Sequence, residues 1–324
     1  MEEKKKTARE IIEGYDGPPV RIMEVCGTHT HEIFRLGIRK LLPEQVELIS
    51  GPGCPVCVTQ VGFIDEAIYL ALERQVTICT FGDLVRVPGT NMSLAGAREK
   101  GAKIRIVYSP VDAKEYAKEH PKEQVTFLSV GFETTTPSAC LSVKKAREEG
   151  LTNYSILTAN KTMPQAYEAL KGSADIFLYP GHVNAITGTK LCEELAKEGV
   201  SGVVAGFTAK ELLTALAVAL ARFQEGRPFF VNCYPRVVTE NGSPQAQKLI
   251  EEMMEPCDSE WRGLGVIKGS GMRLQEEWSA FDARKKYKIP PIQGKANPAC
   301  RCGDVLQGKC KPSDCKVFGK VCTP

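Results

Sequence analysis

Short apolar runs alternate along the chain with longer stretches in which apolar residues recur every three or four positions. The short runs predict strands, and the longer stretches predict amphipathic helices. The predicted strands lie at residues 20–25, 46–50, 76–80, 104–108, 125–130, 154–158, 176–178 and 202–205. The predicted helices lie at residues 32–42, 64–74, 93–100, 138–149, 164–170, 191–198, 209–223 and 245–254. Because strand and helix alternate, we expect an α/β protein with parallel sheets covered on both faces.

The pattern changes at two points, which predict three domains. The alternation restarts after Pro121, and the regular spacing ends after Val237. We therefore expect two similar parallel-sheet α/β domains, at residues 1–121 and 122–237. Residues 238–324 are expected to contain a helix and a small cysteine-rich iron–sulfur domain, because the last 25 residues hold five cysteines and few apolar side chains. Such a segment needs bound metal or cross-links to fold.

Composition and charge exclude several classes of protein. The net charge of +3 is too small to indicate nucleic-acid binding, and basic residues are mixed with acidic ones. No apolar run approaches the roughly 20 residues of a membrane span, and the N-terminus lacks the apolar core of a signal peptide. We expect a cytoplasmic protein. In a reducing compartment, the 13 cysteines indicate metal ligands or redox pairs rather than a disulfide framework.

Three cysteines lie in loop sequences that follow predicted strands. Cys26 follows residues 20–25, and Cys54 and Cys57 follow residues 46–50 and a Gly-Pro-Gly sequence. Ligands gather at the carboxyl ends of the strands in α/β proteins, so we expect exposed, reactive thiols here. Cys54 and Cys57 have the spacing of a redox dithiol. The alternatives are half of a structural metal site, or a turn that happens to contain two thiols.

Two histidines follow Cys26 closely. His29 and His31 lie three and five residues after it, which predicts a nucleophilic dyad or a metal site. The alternative is a helix start capped by Thr28. Both interpretations hold together if the positive end of the helix stabilises a thiolate.

Glu133 and His182 each follow a predicted strand, and we expect both to face a cleft. Glu133 precedes three threonines, whose hydroxyls are expected to cap the next helix. The alternative for His182 is a hydrogen-bonded structural histidine. Four other cysteines lie in apolar helix or strand sequences and are predicted to be core residues: Cys79, Cys140, Cys192 and Cys233.

The C-terminal segment holds a set of candidate cofactor ligands: Cys300, Cys302, Cys310, Cys315 and Cys322. Four thiolates suit either a structural zinc or an iron–sulfur cluster. The Cys-x-x-Cys knuckles typical of zinc ribbons are absent from this segment, which favours a cluster. Unliganded or disulfide-paired thiols are the alternative.

Several of these loop sequences together resemble one family. They are Cys-Gly-Thr-His-Thr at residues 26–30, Gly-Pro-Gly-Cys-Pro-Val-Cys at 51–57, Gly-Phe-Glu-Thr-Thr at 131–135, Pro-Gly-His at 180–182 and the terminal cysteine segment. In this combination and order, the chain resembles the HypD family of hydrogenase maturation proteins. The resemblance implies two α/β domains and a small iron–sulfur domain. It also implies a role in assembling the Fe(CN)2CO group of [NiFe]-hydrogenase, with the chaperone HypC and the cyanide-delivering HypE.

The resemblance also implies roles for individual residues. Cys26 would be an iron ligand, shared with a HypC cysteine, and Cys54 and Cys57 would be the redox pair near it. The implied ligands of a [4Fe-4S] cluster are Cys300, Cys315 and Cys322. In the family the chain usually runs past Cys-Thr-Pro to a further cysteine, whereas this sequence stops at Pro324. The fourth ligand is then Cys302 or Cys310, or the cluster has a free iron site, or the sequence is truncated.

The resemblance favours a redox-active scaffold rather than a conventional turnover enzyme. Thiolates suit a low-spin iron that carries cyanide and carbon monoxide. His29, the neighbouring threonines and backbone N–H groups are expected to hydrogen-bond the cyanide nitrogens. Two other functions stay open: an iron–sulfur thiol–disulfide oxidoreductase, which needs Cys54 and Cys57 but not Cys26, and a zinc-stabilised interaction protein.

Overall fold

The computed structural model describes residues 6–320 and residue 322, and strands alternate with helices over most of this range. The strands are β1 Val20–Glu24, β2 Val46–Ser50, β3 Thr77–Thr80, β4 Ile104–Ile106, β5 Val125–Gly131, β6 Tyr154–Lys161, β7 Ile176–Pro180, β8 Ser201–Ala205, β9 Phe230–Asn232, β10 Met254–Trp261 and β11 Gly265–Leu274. The helices are α1 Ala8–Glu13, α2 Gly27–Arg35, α3 Val61–Glu73, α4 Leu94–Glu99, α5 Pro110–Glu119, α6 Thr136–Glu148, α7 Met163–Ala169, α8 Gly181–Thr187, α9 Lys190–Lys197, α10 Ala209–Phe223, α11 Pro244–Met253, α12 Ala283–Lys286 and α13 Cys302–Leu306. Short 3₁₀ helices lie at Ile38–Leu41, Gly82–Arg86, Glu276–Phe281 and Pro312–Asp314.

The first sheet has five parallel strands in the order β2-β1-β7-β8-β9. Val20 pairs with Val46 at one end of the β1–β2 register, and Glu24 pairs with Ser50 at the other. Apolar side chains of its strands and of α10 form one buried cluster. The residues of β7 and β8 are buried throughout, as expected of central strands in a sheet covered by helices.

The second sheet has six strands in the order β10-β11-β6-β5-β3-β4. Its β4, β3, β5 and β6 strands are parallel, and β11 and β10 continue the sheet in antiparallel order. Successive residues of β5 point to opposite faces. Phe127 therefore belongs to one buried cluster and Leu128 to the other. The prediction of an α/β protein with parallel sheets is confirmed.

The compact units of the structure are not the sequential domains predicted at 1–121, 122–237 and 238–324. Unit 1 comprises the chain up to Cys54 together with Tyr167–Pro244 and Arg301–Asp314. Unit 2 comprises Pro55–Ala166, Gln245–Cys300 and the segment from Cys315. The reason is strand pairing, because β1 pairs with β7 rather than with β3.

The cysteine-rich segment does not form a compact unit of its own. Its residues 301–314 belong to unit 1, where the Arg21 guanidinium donates to the Gly308 carbonyl at 3.0 Å. A Cβ at Gly308 would lie 2.9 Å from Ile49 side-chain atoms, and its φ is +68°, so glycine permits this close approach to β2. Within the described chain, neither α13 nor the 3₁₀ helix Pro312–Asp314 contains a buried residue.

Some elements were not predicted from the sequence. The pattern places the helix after β1 at residues 32–42, but α2 begins at Gly27. The β10–β11 hairpin was missed, because β10 is half-exposed and carries Pro256 and three charged residues. The α5 and α8 helices were missed as well. No helix in the described ranges is long and apolar enough to cross a membrane.

Candidate functional site

The carboxyl edge of the unit 1 sheet gathers the residues of a candidate site. Cys26 follows β1, Cys54 follows β2, and Phe207 follows β8. His182 is the second residue of α8, the helix that directly follows β7. These strands are neighbours and parallel, so their carboxyl ends lie at one edge. This edge is where ligands bind in open α/β sheets. The sequence analysis placed His182 in a separate domain at residues 122–237, whereas the strand order brings it to the same sheet edge as Cys26 and Cys54.

Cys26 is buried, with only 2% of its surface exposed, which contradicts the expected exposed thiol. It is the N-cap residue of α2, so the alternative of a helix start is present, but the cap is Cys26 and not Thr28. Burial raises the pKa of the Cys26 thiol, while hydrogen bonds from the backbone N–H groups of His29 and Thr28 act in the opposite direction. The free thiol is thus kept protonated, although its place at the N-terminus of α2 favours a charged sulfur.

His29 faces the end of β8 and does not form the predicted dyad with Cys26. Its Nε2 lies 3.2 Å from the Ala205 carbonyl and 3.0 Å from the Gly206 carbonyl, and it donates to them in the Nε2–H tautomer. Its Nδ1 is buried without a hydrogen-bond partner among the described residues. Burial lowers the pKa of His29 to about 4. His29 is therefore a neutral ring, and His31, two residues later, is exposed.

The Phe207 ring packs against the rings of His29 and His182 at this edge. Its ring centroid lies 4.8 Å from that of His29 and 5.1 Å from that of His182. Tyr234, which follows β9, meets Phe207 edge-on at 6.3 Å. Burial lowers the pKa of His182, so both imidazoles are held neutral. Phe207 and Tyr234 were not predicted from the sequence, although both follow strands of this sheet.

The Cys26 and Cys54 loops touch through their backbones. The Gly27 N–H donates to the Gly53 carbonyl at 3.0 Å. A Cβ at Gly53 would lie 2.1 Å from the Cys26 nitrogen, and one at Gly27 would lie 3.3 Å from the Cys54 Cβ. Only glycine at residue 53 permits this approach. The Gly-Pro-Gly sequence therefore places the Cys54 loop against the Cys26 loop.

The Cys-x-x-Cys sequence spans the boundary of the two units, which falls between Cys54 and Pro55. Cys54 is half-buried and Cys57 is exposed. After Cys54, the Thr59 hydroxyl donates to the Pro55 carbonyl at 2.7 Å, which stabilises the turn in unit 2. The redox pairing of Cys54 with Cys57 stays a prediction.

Glu133 lies at the carboxyl end of β5 in unit 2 and is buried rather than facing an open cleft. One carboxylate oxygen accepts the Met163 N–H at 2.8 Å, and the other has no hydrogen-bond partner in the described part of the chain. Burial raises the pKa of Glu133 to about 7. The predicted helix cap is wrong, because the Thr135 and Thr136 hydroxyls donate to the Phe132 carbonyl instead.

The remaining cysteines divide into core residues and partly exposed ones. Cys79, Cys140 and Cys192 are buried, and burial raises the pKa of each to about 12, which confirms them as core residues. Cys233 is half-buried and packs against the buried cluster of unit 1, so it lies at the margin of the core rather than inside it. Cys257 is also half-buried and lines a cleft of about 460 Å³ in unit 2.

The C-terminal cysteines do not form a ready four-thiolate site. Cys322 is exposed, and the other four are half-buried: Cys300, Cys302, Cys310 and Cys315. Across residues 6–320 and 322, no three cysteine, histidine, aspartate or glutamate side chains are grouped so that they hold a metal ion. The described arrangement therefore does not fit an iron–sulfur cluster without rearrangement.

Comparison with known proteins places the chain in a family. A profile described as the hydrogenase formation hypA family, HypD, matches residues 2–324. The hydrogenase maturation factor HypD of Cupriavidus necator is 40% identical over 325 residues, covering 96% of this chain and 86% of that protein. The Escherichia coli HypD is 42% identical over 314 residues, covering 94% and 84%. A putative hydrogenase expression/formation protein of Methanocaldococcus jannaschii is 40% identical over 312 residues, covering 94% and 86%. The chain belongs to the HypD family.

Proposed function

We propose that this protein is a hydrogenase maturation factor that carries the iron group of [NiFe]-hydrogenase on Cys26 while the group is assembled. One observation carries the proposal most. Cys26 is the N-cap residue of α2, so its sulfur lies at the positive end of a helix, where backbone N–H groups favour a charged ligand atom. Cys26 follows β1 and Cys54 follows β2 at the carboxyl edge of one parallel sheet, in a chain of the HypD family.

The chemistry of these groups suits an Fe(CN)2CO cargo. A thiolate is a soft ligand for such an iron, and the N–H groups at the start of α2 favour the charged sulfur. His29 is neutral and directed at carbonyl oxygens, so it does not compete as a base for the Cys26 proton. Because Cys26 is buried, iron loading requires the Cys26 loop to open. In this proposal, binding of a partner protein opens the loop.

The proposed assembly of the iron group involves two partner proteins. A HypC-type chaperone would supply a second cysteine ligand to the iron, and a HypE-type protein would deliver cyanide. The hydrogenase large subunit would receive the finished group indirectly. In this scheme the protein is a scaffold, and its own residues position the cargo and exclude water rather than turn over a small substrate.

Anaerobic co-expression with the chaperone tests the proposal. The purified complex should contain iron and show infrared bands of bound cyanide and carbon monoxide. Cys26→Ala should lose the bands and abolish hydrogenase maturation in cells, whereas Cys257→Ala, at a half-buried cysteine of unit 2, should keep both. Retention of the bands by Cys26→Ala would exclude Cys26 as the iron ligand.

A thiol–disulfide oxidoreductase is the second candidate function. The exposure of Cys57 favours it, because a disulfide exchange partner must reach one thiol of the pair. This function requires Cys54 and Cys57 but not Cys26. If Cys26→Ala retained full disulfide reductase activity and full maturation activity, the second function would replace the first.

We also propose that the C-terminal cysteines bind an iron–sulfur cluster. The proposal is supported by five thiols in a segment without buried residues in its helices. Iron and acid-labile sulfide should be found in anaerobically purified protein. One zinc per chain in a colourless protein would instead indicate a structural metal.

A further inference from the structure

A buried carboxylate lies beneath the two cysteine loops of unit 1. Glu24, the last residue of β1, has no exposed surface. Its carboxylate forms an ion pair with Arg39 and accepts hydrogen bonds from the hydroxyls of Thr30 at 2.6 Å and Ser50 at 3.2 Å. Burying a carboxylate is costly unless it is paired and hydrogen-bonded, and here it has three partners.

Each partner belongs to a different structural element. Thr30 lies on α2, and its backbone N–H donates to the Cys26 carbonyl at 3.1 Å. Ser50 is the last residue of β2, directly before the Gly51–Cys54 loop. Arg39 lies on the 3₁₀ helix Ile38–Leu41 and also donates to the Leu48 carbonyl at 2.7 Å. The Glu24 side chain therefore connects the helix whose N-cap is Cys26 to the strand that leads to Cys54.

The Glu24 backbone makes the same connection. Its carbonyl accepts the Gly51 N–H at 2.9 Å, and Glu24 pairs with Ser50 in the strand register. Glu24 thus holds the first residue of the Cys54 loop by its backbone and the first turn of α2 by its side chain. Both loops are fixed close to the point where the Gly27 N–H meets the Gly53 carbonyl.

We propose that Glu24 is a positioning residue that sets the separation of the Cys26 and Cys54 thiols. The proposal rests on the proposed function, in which these two loops form the iron-loading site. Glu24 acts only through Thr30, Ser50 and Arg39. A fixed separation lets Cys54 act on whatever is bound to Cys26 without a search through loop conformations.

A trivalent arsenical measures this separation in the full-length protein. Phenylarsine oxide condenses with two nearby thiols, forming two As–S bonds and releasing one water molecule. In a Cys57→Ser background, mass mapping of peptides locates the adduct that bridges Cys26 and Cys54. The concentration of a competing dithiol that removes half of the arsenic then reports the effective concentration of one thiol near the other. This equilibrium readout is independent of how quickly the reagent enters.

Glu24→Gln keeps the side-chain shape but removes the charge that holds Arg39. We expect the arsenic to be released at about tenfold lower competitor concentration, because a looser loop lowers the effective concentration. Glu24→Asp, which keeps the charge, should restore most of the difference. Glu47→Gln is the matched control, because Glu47 is an exposed residue of the adjacent strand β2, and it should behave as the background protein does. If folded Glu24→Gln releases half of its arsenic at the same competitor concentration as the Cys57→Ser background protein, the proposal is overturned.

Two further variants keep the test decisive if Glu24→Gln does not fold. Thr30→Val and Ser50→Ala each remove one hydrogen bond to the Glu24 carboxylate and leave its ion pair with Arg39 in place. Thr30→Val also removes a longer hydrogen bond to the Cys26 carbonyl, and Ser50→Ala one from Arg39. In each variant the competitor concentration that removes half of the arsenic should be about threefold lower, since each variant loosens one of the two loops. If both variants release half of their arsenic at the same competitor concentration as the Cys57→Ser background protein, the proposal is overturned. Protection of core Cys192 from alkylation shows that unit 1 stays folded.

The thiol assay separates this proposal from the function on which it rests. It uses isolated protein and requires no hydrogenase. Unchanged arsenic retention in all three variants defeats the positioning role of Glu24 and leaves the scaffold function intact. Full maturation by Cys26→Ala defeats the scaffold function, whatever Glu24 does to the thiols.

Discussion

Replacement of Glu133 by glutamine should change how the stability of unit 2 depends on pH. The native carboxyl group is buried and its pKa is raised from 4.5 to about 7. Between these values the unfolded chain loses the proton while the native protein keeps it, so rising pH favours unfolding. A difference of about 2.5 units corresponds to about 3 kcal/mol of native stability that is present at low pH and lost by pH 8. Glu133→Gln removes this loss, because an amide does not ionise.

Tryptophan fluorescence provides the assay, because Trp261 and Trp278 are the two tryptophans of the chain and both are buried in unit 2. Urea unfolding at about pH 5 and about pH 8 should show that the wild type loses about 2.5 kcal/mol more than Glu133→Gln over this range. The buried amide also adds an unpaired donor, but that cost is the same at both pH values.

Glu47→Gln provides the control, since Glu47 is an exposed residue of unit 1 and the same change of side chain there lies outside the unit that the tryptophans report. An equal loss in the wild type and in Glu133→Gln would refute the reasoning. It would show that the buried carboxylate is stabilised by solvent or by a partner in the native protein.

Three further predictions concern the unit 1 site. Gly53→Ala should lower the free energy of unfolding by about 1–3 kcal/mol and impair maturation, because the new Cβ would lie 2.1 Å from the Cys26 nitrogen. Gly82→Ala is the control and should be tolerated, because the nearest atom to its new Cβ would be 3.6 Å away. Iodoacetamide should modify exposed Cys57 at least about tenfold faster than buried Cys26, as followed by peptide mass mapping, and equal rates would contradict the burial of Cys26. Phe207→Ala should admit water between the two imidazoles that Phe207 contacts and raise their lowered pKa values. An NMR titration that shows unchanged values would contradict this, and the chain has only four histidines to assign.

Much of the local structure could be predicted from the sequence. The β2 strand at Val46–Ser50 and the α10 helix at Ala209–Phe223 have the predicted bounds, because their apolar spacing is regular. The β10 strand was missed because its burial alternates and charged residues face outward. The helix after Cys26 was placed five residues late, since Gly27-Thr28-His29 gives little apolar signal before Ile33.

The candidate site was predicted in its residues but not in its contacts. Cys26, Cys54, His29 and His182 were found as loop residues that follow strands. The sequence did not reveal that His29 hydrogen-bonds to the carbonyl of Gly206, which lies 177 residues away. It also did not reveal that the Glu24 side chain connects Thr30 of α2 to Ser50 of β2, because a charged residue at a strand end is usually solvated.

The sequence by itself determined the α/β class, the strand-end loops that carry the cysteines, and membership of the HypD family. These features depend on local periodicity and on motifs that can be read over a few residues. Only the tertiary structure decided that β1 pairs with β7, that Cys26 is buried and that the Cys54 loop rests on it. These features depend on contacts between distant segments, and local propensity does not specify which strand lies beside which. The burial of a thiol is likewise settled by the packing around it, and not by the residues next to it in the chain.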